Sequence, residues 1–111
     1  MKGKKVFTKA VKQMSIILEK ACGSSNMSLK DLDLIVPHQA NQRIIDAIIS
    51  KNYLDAEKVY SNIENYGNTS SNTIPICLAE LKDKFEENKK LGLCAFGGGF
   101  TFGAVVLTVK R

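Results

Sequence analysis

Leu32-Asp33-Leu34-Ile35-Val36-Pro37-His38-Gln39-Ala40-Asn41-Gln42-Arg43-Ile44-Ile45 is the stretch from which the fold can be read. Its first five residues form a short, largely apolar run, the pattern of a buried strand. Pro37 holds Val36 extended and has no N–H for a sheet ladder, so the strand is expected to stop there, with His38 at or just beyond its carboxyl end. Asn41, Ile44, Ile45, Ile48 and Ile49 then recur at helical spacing, leaving Arg43, Asp46 and Lys51 on the polar side. A strand, a sharp stop and a helix open an α/β unit. Open sheets of this class present ligands at the carboxyl ends of their strands.

Upstream, Val6, Phe7, Ala10, Val11, Met14, Ile17, Leu18, Ala21 and Cys22 mark one stripe of a helix ended by Gly23. Ser28 and Asp31 are spaced to cap a short turn before the strand. Downstream, Val59-Tyr60 reads as a short strand and Ser61 to Asn68 as a polar loop. A third helical pattern follows through Ile74, Cys77, Leu78, Leu81 and Phe85, with Thr69, Ser70 and Ser71 as capping residues and Pro75 in the first turn. Leu91 to Phe96 and Phe100 to Val109, joined through Gly97-Gly98-Gly99, read as an antiparallel strand pair. The predicted fold class is α/β, with a mostly parallel sheet and an antiparallel pair at its end. No internal repeat, linker or low-complexity segment interrupts it.

The composition is that of one compact domain: 111 residues, 44% hydrophobic and 24% charged. Apolar runs such as Gly103 to Leu107 are far shorter than a membrane helix requires, and the lysine-rich start passes directly into an amphipathic pattern. Neither a membrane span nor a signal peptide is expected. Cys22, Cys77 and Cys94 form no CxxC pair and no ligand set with His38, the sole histidine. This argues against a disulfide scaffold and a metal site and fits a reducing cytoplasm. The net charge of +5 resides at the front, where Lys2, Lys4, Lys5, Lys9, Lys12 and Lys20 face only Glu19. Such a cluster suits an acidic partner, be it nucleic acid, an acidic protein or a phosphate-bearing cofactor, or is simply a solvated lysine face.

Among chemically capable residues, His38 has the side chain that titrates near neutrality, and it is either a catalytic group at a strand end or a hydrogen-bonded turn residue. Asn68, between Gly67 and Thr69, either presents its carboxamide to a cleft or caps the next helix. The glycine triplet lacks the spacing of a dinucleotide or phosphate loop. It serves either as a tight hairpin turn or as a place where a backbone amide approaches an oxyanion. Cys77 and Cys94 lie in apolar patterns, where thiols are usually inert.

Val36-Pro37-His38-Gln39-Ala40-Asn41-Gln42-Arg43, then Gly67-Asn68-Thr69-Ser70-Ser71, then Ala95-Phe96-Gly97-Gly98-Gly99-Phe100-Thr101 together resemble the C-terminal half of β-ketoacyl-acyl-carrier-protein synthase III. Three motifs in the right order are far more specific than any one of them. The resemblance covers Met1 to Arg111 and implies the second half of a thiolase-like fold, with the N-terminal half absent.

It also implies a condensing acyltransferase of fatty acid synthesis, using acyl-coenzyme A and malonyl-acyl-carrier-protein as substrates and no covalently bound cofactor. His38 and Asn68 match two members of a Cys-His-Asn trio. Gly98 matches an oxyanion amide and Phe96 an aromatic that lines the site. Arg43 matches a basic contact to coenzyme A and the acidic carrier protein. Lys51 shares its helix, and Lys4 follows Gly3 where family members often carry a cofactor-contacting asparagine. None of the cysteines matches the family nucleophile, so the chain alone is expected not to form the acyl-enzyme. The expected partners are acyl carrier protein, the N-terminal half of the same enzyme and further copies of the chain, with self-association through a helix face around Ser70 to Pro75 that lacks its cover.

Two other readings stand beside this one. A noncatalytic module would use its basic front to hold an acidic protein or nucleic acid, although the few aromatics offer no base-stacking surface. An independent cysteine hydrolase using His38 would require a reactive thiol.

Overall fold

The computed structural model describes residues 2–98 and 100–110. Helix α1 (Lys2–Ser24) follows the apolar stripe. Ala10, Val11, Met14, Leu18 and Cys22 are all buried, while its lysines from Lys4 onward face solvent. The larger of these side chains each contribute about 1.5–3 kcal/mol on leaving water. Ser15 also lies on the buried side, where its hydroxyl donates to Val11 O at 2.7 Å and accepts from Asn52 Nδ2 at 2.9 Å. That pair ties α1 to the residue closing α2 (Gln42–Lys51).

Strand β1 (Leu34–Pro37) begins two residues later than the apolar run suggests. The Leu32 N–H is occupied by Leu29 O, closing a 3-10 turn in which Asp31 accepts the Ser28 N–H at 2.8 Å. The strand also includes Pro37. In parallel pairing with β2 (Lys90–Gly97), Leu34 lies opposite Leu91 and Pro37 opposite Cys94, and the His38 N–H still donates to Cys94 O at 2.7 Å. The missing N–H of Pro37 falls away from that bond, so the ladder runs one residue past the proline. Strand β3 (Thr101–Thr108) then pairs antiparallel with β2, from Lys90 opposite Thr108 to Gly97 opposite Thr101. The sheet order is β1-β2-β3, the expected α/β class with an antiparallel pair at its end, although its two pairings divide equally between parallel and antiparallel where a mostly parallel sheet was expected.

The sheet is covered on two sides at β1 and β2. Ile35, Cys94, Phe96, Phe102, Ala104 and Val106 pack toward α1 and α2. Val36, Leu34 and Leu93 pack toward Cys77, Leu81 and Ile74 of α4 (Thr73–Leu81). Within β2, Gly92 faces the first layer, and a Cβ added there would stand 2.7 Å from Leu32 Cδ1 and 3.1 Å from Leu18 Cδ1. The second layer ends at β2, leaving Val105 and Leu107 of β3 exposed.

Four local expectations are corrected. Val59-Tyr60 is reduced to a single parallel bridge between Val59 and Ile35, because the Gln39 side chain takes over further pairing. Gln39 is fully buried, with Nε2 donating to Pro37 O at 2.8 Å and Tyr60 O at 3.2 Å, while Oε1 accepts the Asn62 N–H at 3.0 Å. The loop Ser61 to Asn68 contains a helical turn, α3 (Ile63–Tyr66), closed by Gly67 at φ 66°. Thr69, Ser70 and Ser71 make no capping bond through their side chains to α4, which follows a 3-10 turn over Ser70–Asn72. Phe85 lies beyond the end of α4 in extended backbone, yet still packs on the Val36–Cys77–Leu81 cluster.

Candidate active site

A cavity of about 650 Å³ opens where the carboxyl ends of β1 and β2 meet the start of α4, with His38, Asn68, Phe96 and Gly98 among the residues around it. His38 arrives there because Pro37 ends β1, and its backbone is anchored to Cys94. Its ring has two supports. Nδ1 lies 2.5 Å from the Thr73 hydroxyl oxygen, and the ring meets Phe96 edge to face, centroids 5.6 Å apart at 77°. Burial lowers the imidazole pKa below its ordinary value of 6.5, favouring the neutral ring.

Asn68 reaches the cavity from the turn after α3. Its Oδ1 accepts the Ser70 N–H at 2.9 Å, and Ser70 itself adopts φ 57°, a left-handed conformation uncommon for serine. This is the turn-forming role that the sequence left open, and it leaves the carboxamide nitrogen pointing away from its own backbone contact. Thr69 Oγ1 beside it is buried without a hydrogen-bond partner among the described residues.

Gly98 follows β2 in the turn to β3, where its carbonyl accepts from Thr101 Oγ1 at 3.4 Å. Gly99, the last of the triplet, lies outside the described residues. From Phe96 a row of rings continues outward, through Phe102 at 6.3 Å to Phe100, which stacks on Phe102 at 6.2 Å and carries Lys9 Nζ 4.7 Å above its face.

The thiols are buried and protonated. Burial pushes Cys94 up to about 12; burial and the nearby Glu80 carboxylate push Cys77 up to about 11; burial also raises Cys22. A thiolate nucleophile is therefore disfavoured at each of them, which removes the basis for an independent cysteine hydrolase. Among the described residues no group of three or more His, Cys, Asp or Glu side chains is placed to hold a metal ion. No helix of the described residues is long and apolar enough to cross a membrane.

Residues 22–109 match the family model described as 3-oxoacyl-[acyl-carrier-protein] synthase III C terminal. The chain belongs to this family. It is 46% identical over 107 residues to the β-ketoacyl-[acyl-carrier-protein] synthase III of Chlorobium phaeobacteroides, covering 95% of this chain and 32% of that protein. Over 109 residues it is 44% identical to the synthase III of Clostridium tetani, covering 96% and 33%. The crystal structure of the Aquifex aeolicus synthase III superimposes with a TM-score of 0.92 at 39% identity, covering 98% of this chain and 36% of that one. The Thermus thermophilus synthase III gives 0.92 at 40%, covering 97% and 34%. The chain thus spans about a third of the length of the synthase III relatives it matches.

Of the residues singled out from the sequence, His38, Asn68, Phe96 and Gly98 share the cavity. Arg43 does not line it; this residue sits at the exposed start of α2 with its guanidinium 5.1 Å above the Phe7 ring. Lys51 is at the other end of α2, about 12 Å further along the axis, beside a separate hollow with Glu19 and Tyr53. Lys4 lies on the outer face of α1 with Lys5, Lys9 and Lys12. None of Arg43, Lys51 and Lys4 is among the residues around the His38 cavity. The contact of Thr73 with His38 is not legible in the sequence, where this threonine reads as one more small residue before Pro75.

Proposed function

We propose that this chain supplies the C-terminal part of a β-ketoacyl-acyl-carrier-protein synthase III, which condenses acyl-coenzyme A with malonyl-acyl-carrier-protein to begin fatty acid synthesis. The observation that carries the reading is that His38 and Asn68, distant in sequence, border one cavity at a strand end.

In this reaction an acyl group passes from coenzyme A to a cysteine borne by the rest of the enzyme, releasing the coenzyme A thiol. The malonyl thioester then loses carbon dioxide. The electron pair of the broken C–C bond moves onto the thioester carbonyl as an enolate, and an imidazole N–H and a carboxamide N–H stabilise that charge. The enolate carbon attacks the acyl-cysteine carbonyl, whose oxyanion takes the Gly98 backbone N–H. Collapse expels the cysteine thiolate and leaves a β-ketoacyl thioester on the carrier.

The neutral state of His38 supports its role as a donor, because a hydrogen-bond donor that stays uncharged pays little desolvation in a closed site. The Ser70 N–H on Asn68 Oδ1 supports the assignment of the carboxamide nitrogen to the enolate. Phe96 walls the cavity against water. Arg43, Lys51 and Lys4 are assigned to the phosphates of coenzyme A and the acidic carrier protein, with no metal and no covalently held cofactor. The other partners are the remaining portion of the enzyme and a further copy of it.

Mixing this chain with the nucleophile-bearing portion of the enzyme and following release of labelled carbon dioxide from malonyl-acyl-carrier-protein tests the reading. Carbon dioxide release and a β-ketoacyl product, both lost with His38→Ala, are expected. Stable acylation of the isolated chain by acyl-coenzyme A would overturn it, because its three protonated thiols should be inert.

A further inference from the structure

The cavity contains one polar contact that the proposed chemistry does not use, between Thr73 and His38. Resting on the synthase reading for its purpose but not for its test, we propose that Thr73 is a positioning residue whose hydroxyl donates to His38 Nδ1 and so fixes the imidazole proton on Nε2. Thr73 is buried, and His38 Nδ1 is the hydrogen-bond partner its hydroxyl has among the described residues. A neutral imidazole carries one N–H.

Were that proton on Nδ1, it would donate to Thr73, and the hydroxyl proton would be left buried with no acceptor, a costly arrangement. With the proton on Nε2, the hydroxyl donates to the bare Nδ1, and both groups are satisfied. Nε2 has no partner among the described residues, so its N–H is the one free to meet a ligand or water in the cavity. The backbone assists: the His38 N–H is fixed to Cys94 O and the ring rests against Phe96, so Thr73 meets a ring already restricted in rotation.

His38 is the sole histidine, so long-range proton–nitrogen NMR of the 111-residue chain, above the ordinary histidine pKa of about 6.5, reads its tautomer without ambiguity. A pyridine-like Nδ1 and a protonated Nε2 are expected in the wild type and in Thr73→Ser. In Thr73→Val the ratio should fall by about tenfold toward that of an unconstrained imidazole. A protonated Nδ1 in the wild type, or an unchanged ratio in Thr73→Val, would overturn the proposal. Should the valine variant not fold, the wild-type tautomer and its retention in the serine variant still decide. The spectrum does not depend on condensation, so failure of the synthase reading and failure of this assignment are separate results.

Discussion

Asn68 Oδ1 accepts the backbone N–H of Ser70 at 2.9 Å, so the residue that borders the cavity with His38 also holds its own turn. Asn68→Asp keeps the acceptor and removes the donor. The fold should persist, with a melting temperature close to the wild type, while decarboxylation by the complemented enzyme falls by about 10²–10³-fold, the usual effect of losing one oxyanion donor. Circular dichroism melting and labelled carbon dioxide release measure the two sides separately. Loss of structure with no specific loss of rate would assign Asn68 to the turn alone.

Acid should weaken the fold through His38. Its pKa in the folded chain is lowered by burial, so the unfolded chain binds the proton more readily and stability falls as pH drops below about 6.5. The contribution is absent above that value. His38→Gln should flatten the pH dependence of the melting temperature in this window. Glu80, lowered by hydrogen bonds from Asn62 and Tyr60, acts at lower pH, where its own stabilising contribution is lost as the carboxylate is protonated. An unchanged profile in His38→Gln would show that the imidazole is not the group sensed.

Gly92→Ala should destabilise the chain by about 1–3 kcal/mol, because the new methyl group falls within 2.7 Å of Leu32 and 3.1 Å of Leu18. Urea denaturation gives the number. Pairing Gly92→Ala with Leu32→Val should recover part of the loss, since the shorter side chain vacates the clashing position.

Gln39→Leu should cost about 3 kcal/mol or more. It keeps the volume but strips hydrogen bonds from Pro37 O, Tyr60 O and the Asn62 N–H in a buried setting. Hydrogen exchange at Asn62 provides the local readout, with protection expected to collapse there before it does at Cys94. Equal stability of the leucine variant would show that water replaces the carboxamide without penalty.

Elements with their own periodicity are legible along the chain. The α1 stripe, the buried run of β1, the isoleucine stripe of α2 and the β2–β3 pair all follow from spacing, because each is defined by which residues must leave water together, whereas Asn41, read as part of the α2 stripe, proves to cap that helix by accepting the Ile44 N–H. Places where a side chain replaces backbone pairing are not. The expected strand at Val59 shrinks to one bridge because Gln39 reaches across it, and the expected serine and threonine caps give way to Asn68 and a 3-10 turn. Such substitutions depend on where two distant segments come to rest, which no local window contains.

The same division applies to the site. Sequence alone determined that a histidine would stand at the end of a strand, since a proline, which has no N–H to donate, closes the apolar run just before it, and motif order pointed to the synthase family. Only the tertiary structure decided that Thr73 faces Nδ1, that Phe96 meets the ring on edge, and that Arg43 stands over Phe7, outside the residues around the cavity. The physical reason is reach: periodicity reports which face of an element is buried, whereas hydrogen bonds and ring contacts are set by distances of a few ångströms between elements that the packed core alone brings together.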